Sequence, residues 1–70
     1  MKYREVEKRL RKLGCVEISR RGGGSHRKWH NPILKKKAIV PDWGSKDLKP
    51  GTLRNAVKDL GFDWEDFNKA

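Results

Sequence analysis

Two histidines, His26 and His30, stand four residues apart in the run Gly22-Gly23-Gly24-Ser25-His26-Arg27-Lys28-Trp29-His30, and they are the only imidazoles in the 70-residue chain. Histidine is the one side chain whose unperturbed pKa, about 6.5, lets it both take and give a proton at neutral pH. Set among Arg21, Arg27 and Lys28, such a group suits cleavage of RNA. There the ribose 2′-hydroxyl is an internal nucleophile, so no metal is required. A base takes its proton, an acid protonates the leaving 5′-oxygen, and cations steady the phosphorane between them. His26 can serve as base or acid, help of a kind worth about 10²–10⁴-fold. The plainer reading of either histidine is a polar residue on an exposed strand, and that of the glycines is a hairpin tip. The run lacks a strand-Gly-x-Gly-helix setting or a Gly-Lys-Ser/Thr ending, which excludes a nucleotide-binding fingerprint. Ser25 has no acid–base neighbour but His26 and no orienting carboxylate close by in sequence, which argues against a serine hydrolase.

The charge supports an anionic partner. Eighteen Lys and Arg oppose nine Asp and Glu, giving a net charge of +9 and a pI of about 10.1. Residues 1–40 hold 13 basic against 3 acidic side chains, and residues 41–70 hold 5 against 6, so the basic surface belongs to the first half. Such a field attracts polyanions, and counterion release from a phosphate backbone drives binding without any sequence reading. Composition alone fits nucleic acid or an acidic protein. With 34% hydrophobic residues the chain has material for one thin core, so residues 1–70 are expected to form a single marginal domain. No apolar run exceeds three residues, so neither a membrane span nor a signal-peptide core is expected. The lone Cys15 cannot form an internal disulfide, and one Cys with two His cannot build a zinc site. No metal or cofactor is expected, and a reducing cytoplasm fits.

The elements that must position His26 are legible from periodicity. Tyr3, Val6, Leu10 and Leu13 recur at spacings of three, four and three, the stripe of an amphipathic helix that ends near Gly14. From Cys15 to Arg20 the period changes to two, with Val16 and Ile18 on one face, and Arg20 to Ser25 is a turn. His26 to Asn31 forms a second strand and Ala38-Ile39-Val40 a third, ending at Pro41. After a loop rich in Pro, Gly, Ser and Asp, Lys49-Pro50-Gly51-Thr52 starts a helix carrying Leu53, Ala56, Val57 and Leu60, which Gly61 stops. Asp63 then caps a short last helix from Trp64 to Asn68. Helix, three strands, helix and short helix most economically form two layers, with the helices on one face of an antiparallel sheet. Alternation on the second strand groups Arg27, Trp29 and Asn31 on one side and His26, Lys28 and His30 on the other. Burying Trp29 therefore exposes both histidines, beside Arg20, Arg21 and Lys35-Lys36-Lys37. Trp43, in a loop, is free to stack on a base or a partner.

The basic first helix ending in Leu13-Gly14, then Gly24-Ser25-His26-x-x-Trp29-x-x-Pro32, Val40-Pro41, Lys49-Pro50-Gly51-Thr52-Leu53 and Leu60-Gly61, resembles the HicA toxins, also called YcfA-like proteins, from about Tyr3 to Phe67. The resemblance implies an α+β fold like a double-stranded-RNA-binding domain, α-β-β-β-α with a short C-terminal helix here. It implies an mRNA endoribonuclease that blocks translation and a HicB-like antitoxin, and it makes His26 the catalytic histidine. RNA contacts are then expected from Arg20, Arg21, Ser25, Arg27, Lys28, His30, Lys35, Lys36 and Lys37. Relatives commonly close the motif with His-Pro, where this chain has Asn31-Pro32, and many carry a histidine after Val-Pro, where it has Asp42-Trp43. His30, or Lys28 with water, is left to assist His26. An antitoxin for a surface this basic should be acidic and should cover His26. No membrane and no DNA are expected as partners.

Two further readings belong to other classes. One is a non-catalytic RNA-binding module that grips phosphates by shape, for which His26 is dispensable. The other is a protein-interaction module whose basic patch serves only an acidic partner.

Overall fold

The computed structural model describes residues 1–18 and 25–70, in the order α1 (Tyr3–Lys12), β1 (Val16–Glu17), β2 (His26–Asn31), β3 (Lys36–Pro41), α2 (Pro50–Asp59) and α3 (Trp64–Lys69). The Arg20 to Gly24 part of the expected turn lies outside the described residues, so Arg20 and Arg21 are given no position.

Helix α1 forms where the stripe predicts it and buries Tyr3, Val6 and Leu10. Its end is set by Gly14, at φ +89°, a left-handed conformation that only glycine adopts without strain. Helix α2 begins on Pro50, whose missing N–H costs nothing in a first turn, and buries Leu53, Ala56 and Val57. Gly61, at φ +90°, closes it and is also a point of close approach. A Cβ there would come within 2.6 Å of Leu34 Cδ1 on the turn between β2 and β3. Asp63 occupies the N-cap position of α3, but its side chain makes no capping hydrogen bond.

The sheet is antiparallel in the order β1-β2-β3. Trp29 stands opposite Glu17 and Ala38, and His30 opposite Val16 and Lys37. Because paired residues share a face, Trp29, Ala38 and Val40 point with Arg27 and Asn31 to the helices. His26, Lys28, His30, Lys37 and Ile39 point away. Contacts from both long helices reach the same side: Trp29 Nε1 donates to Tyr3 Oη at 3.1 Å, and Asn31 Nδ2 donates to the Leu60 carbonyl at 2.8 Å. The core gathers Trp29, Phe67, Leu10, Leu60, Val6, Val40 and Val57 between the layers. The two-layer α+β expectation, three antiparallel strands under helices on one face, is met. Strand β3 is longer than Ala38 to Val40, because Lys36 and Lys37 pair with Asn31 and His30. The Val16 and Ile18 pair does share a face, but it is the uncovered one, and the core beside β1 is filled by Cys15.

Candidate functional site

Strand β2 presents His26, Lys28 and His30 in one column on the uncovered face, His26 and Lys28 exposed and His30 half-buried. Strand rise puts successive members about 7 Å apart, and His26 and His30 about 13 Å apart. Flanking columns are mixed. Ile18, whose N–H donates to the Lys28 carbonyl at 2.8 Å, and Ile39, paired with Lys28 and 51% exposed, border the central lysine. Val16 and Lys37 border His30. The result is a basic line edged by aliphatic side chains, exposed at His26 and Lys28 and half-buried at His30, with the buried Pro41 beside His26.

The start of β2 is fixed from the other side of the sheet. Arg27, half-buried, reaches Glu17 through Nη1 at 3.5 Å and Asp42 through Nη2 at 3.5 Å. Glu17 also receives Arg11 at 3.9 Å, and that guanidinium stacks over the Trp29 ring at 5.1 Å. The Asp42 N–H donates to the Ser25 carbonyl at 2.5 Å, so the residue before His26 is held by β3. These groups line a cleft of about 350 Å³ with Tyr3, Arg4, Glu7 and Gly44. Burial pushes the Tyr3 phenol up to about 12, against the lowering effect of its hydrogen bond from Trp29. Burial likewise raises the Cys15 thiol. Neither group is on the histidine face.

The predicted site residues therefore divide. Ser25, His26, Lys28, His30 and Lys37 come together at or on the uncovered face. Arg27 does not: it sits on the helix side, engaged by two carboxylates. Lys36 pairs with Asn31, on the helix side of the sheet's edge, and Lys35 is in the turn at φ +55°. Asn31, where the resemblance leads to the expectation of histidine, is 1% exposed. Its Oδ1 accepts from the Ile33 N–H at 3.2 Å and the Leu34 N–H at 3.5 Å, while its Nδ2 caps the end of α2. Position 31 thus ties the β2–β3 turn to α2 and lies on the face opposite His26.

Sequence reading passed over Asp42 as a clamp. The clamp follows from the register, which the structure supplies: a residue two past the partner of Arg27 falls on the same side of the sheet and within diagonal reach. Trp43, the next residue, is 36% exposed and lines a cleft of about 430 Å³ with Lys46. Among the described residues no three His, Cys, Asp or Glu side chains gather to hold a metal ion, and no helix is long and apolar enough to cross a membrane.

Comparison with curated proteins and with solved structures gives no significant match. The family model for the HicA toxin of bacterial toxin–antitoxin systems, however, matches residues 3–62. That span runs from the first helix, through the Gly-Ser-His motif and the strands, to the residue after Gly61, and the chain belongs to the HicA toxin family.

Proposed function

We propose that this toxin is an mRNA endoribonuclease in which His26 acts on the ribose 2′-hydroxyl and Lys28 steadies the charge of the transition state. The observation that carries the reading is the position of His26: exposed, at the start of β2, in line with Lys28 on the face no helix covers. In the reaction the 2′-oxygen bonds to phosphorus and the bond to the 5′-oxygen breaks. His26 takes the 2′-hydroxyl proton, and the leaving oxygen receives a proton from water. A 2′,3′-cyclic phosphate and a 5′-hydroxyl result. Fixed cations aimed at the phosphorane are worth more here than mobile ones in solvent, because they need not reorganise as charge develops.

Strand geometry separates the two candidate helpers. Side chains stand nearly perpendicular to a sheet, so His30, about 13 Å along the strand, cannot share one phosphate with His26, whereas Lys28 at about 7 Å can lean to it. His30 and Lys37, opposite each other on β2 and β3, instead suit the next stretch of backbone. Arg27 supports the site through Glu17 and Asp42.

A HicA toxin has a cognate antitoxin. We assign to it a HicB-like, acidic protein that lies over the same face in the bacterial cytoplasm. Val16, Ile18 and Ile39 offer it exposed apolar area, and Lys28 and Lys37 offer it charge.

Cleavage of a labelled single-stranded mRNA, with EDTA present, tests the reading. His26→Ala should cut about 10²–10⁴-fold more slowly while keeping its affinity for RNA, and His30→Ala should retain cleavage. A wild-type chain that binds RNA and forms no product would overturn the enzyme and leave an RNA-binding module. Equal loss in both histidine variants would overturn the division of labour between Lys28 and His30.

A further inference from the structure

We propose that Trp43 is a stacking platform for an unpaired nucleobase next to the phosphate that His26 attacks, with Lys46 beside it for the adjoining backbone. This rests on the ribonuclease reading of the His26 face. The indole is 36% exposed and, with Lys46, lines an open cleft of about 430 Å³. Trp43 is outside the packed cluster of the two layers, so the exposed part of its indole is not taken up by the core.

Its placement ties it to the cleavage site. Pro41 is the cross-strand partner of His26, and Trp43 follows two residues later, about 7 Å of extended chain. Asp42, between them, is held three ways. Its N–H donates to the Ser25 carbonyl at 2.5 Å, its Oδ1 accepts from the Gly44 N–H at 3.0 Å, and its Oδ2 meets Arg27 at 3.5 Å. The Lys46 N–H then donates to the Trp43 carbonyl at 3.2 Å, closing the turn that begins at Trp43. The backbone that carries the ring is thus ordered before any ligand arrives, and it shares its anchor with the turn that carries His26.

An aromatic face paired with a cation is the combination that holds single-stranded nucleic acid. The base stacks whatever its identity, and the cation meets the phosphate. A base inside a duplex has its faces covered by its neighbours, so the platform selects unpaired RNA. The toxin's substrate is then a single-stranded segment, with preference set by stacking strength and not by a hydrogen-bonded code.

The test uses the full chain and an unstructured 2′-O-methyl oligonucleotide, which has no free 2′-hydroxyl to attack, with binding read by fluorescence anisotropy. Trp43→Ala should weaken binding roughly five- to 150-fold, the range seen when a base-stacking aromatic is truncated. Trp43→Phe should keep most of the affinity, and the melting temperature of both should match wild type. Annealing the oligonucleotide to its complement should abolish the dependence on Trp43. Equal affinity of wild type and Trp43→Ala, or equal loss on single strand and duplex, would overturn the proposal. The two readings fail separately. Absence of cleavage by wild type on ordinary RNA overturns the ribonuclease, whereas normal cleavage with Trp43-independent binding overturns the platform alone.

Discussion

Adjacent residues of β2 live under opposite demands. Trp29 is wholly buried between the layers, hydrogen-bonded to Tyr3 and stacked under Arg11. Lys28 and His30, one residue to either side, face away from the helices. The helix-facing side is made of interlocked groups, each of which has a partner to lose: Arg27 with Glu17 and Asp42, Asn31 with Leu60, Ile33 and Leu34. The outward side is a row of basic and aliphatic side chains, most of them exposed. Under the proposed function, parity along this six-residue strand divides stability from function, and substitutions in β2 should sort by whether the position is odd or even.

The sharpest way to break that division is at Trp29. Trp29→Ala removes the largest core side chain, deprives Tyr3 of its donor and Arg11 of its ring, and should cost about 3–5 kcal/mol. A domain of 70 residues has a total stability of the same order, so urea or thermal melts of the variant should show a largely unfolded chain at 37 °C. Should Trp29→Ala melt like wild type, the odd side of the strand would not be the structural one.

Tyr3, across the core from the same tryptophan, gives a smaller effect of defined sign. Its phenol is pushed up to about 12 by burial, from about 10 in the unfolded chain. The folded state therefore holds the proton more tightly than the unfolded state does. The corresponding stability is fully present below pH 10 and is lost as pH rises from 10 through 12. Two units correspond to about 2–3 kcal/mol. Stability measured by urea across pH 9 to 12 should fall more steeply for wild type than for Tyr3→Phe, which keeps the ring and has nothing to ionise. Parallel curves would mean that the hydroxyl is effectively in water.

How much of this was legible beforehand follows from what each signal depends on. Element order was readable because the Tyr3-Val6-Leu10 and Leu53-Ala56-Val57-Leu60 spacings fix helices and glycines at 14 and 61 end them. The split of β2 into two faces needed only a period of two and the premise that Trp29 is buried. The side on which β1 puts its apolar pair was not readable, since Val16 and Ile18 alternate like core residues yet stand at 44% and 38% exposure. Which face is covered depends on where the helices land, and a two-residue strand carries too little pattern to say. The roles of Arg27 and Asn31 were hidden for a related reason. An arginine beside a histidine motif looks like a phosphate ligand until register brings Glu17 and Asp42 to it. An asparagine where the resemblance leads to the expectation of histidine looks like a missing catalyst until its amide is seen closing both a turn and a helix.

The smallest effect in free energy concerns the outward face, at Lys28 of β2 and Lys37 of β3, and bears most directly on the proposed function. Lys28 stands in the column that begins at His26, and Lys37 lies beside that column on the neighbouring strand, opposite His30. Both side chains are exposed, so Lys28→Ala and Lys37→Ala should remain folded, with melting curves close to wild type. Affinity for single-stranded RNA should respond instead through its salt dependence. Each phosphate neutralised contributes about 0.7 to the slope of log K against log salt on a single strand. Each variant should lose about that much, and the double variant about twice as much if the lysines meet different phosphates. An unchanged slope with unchanged stability would remove RNA from this face and leave it to the antitoxin, and a slope lost only in the double variant would mean that both lysines serve one phosphate. Because the read-out is a slope and not an affinity, a general loss of fold cannot imitate it. The experiment therefore tests the outward side of the strand on the same terms on which Trp29→Ala tests the inward one.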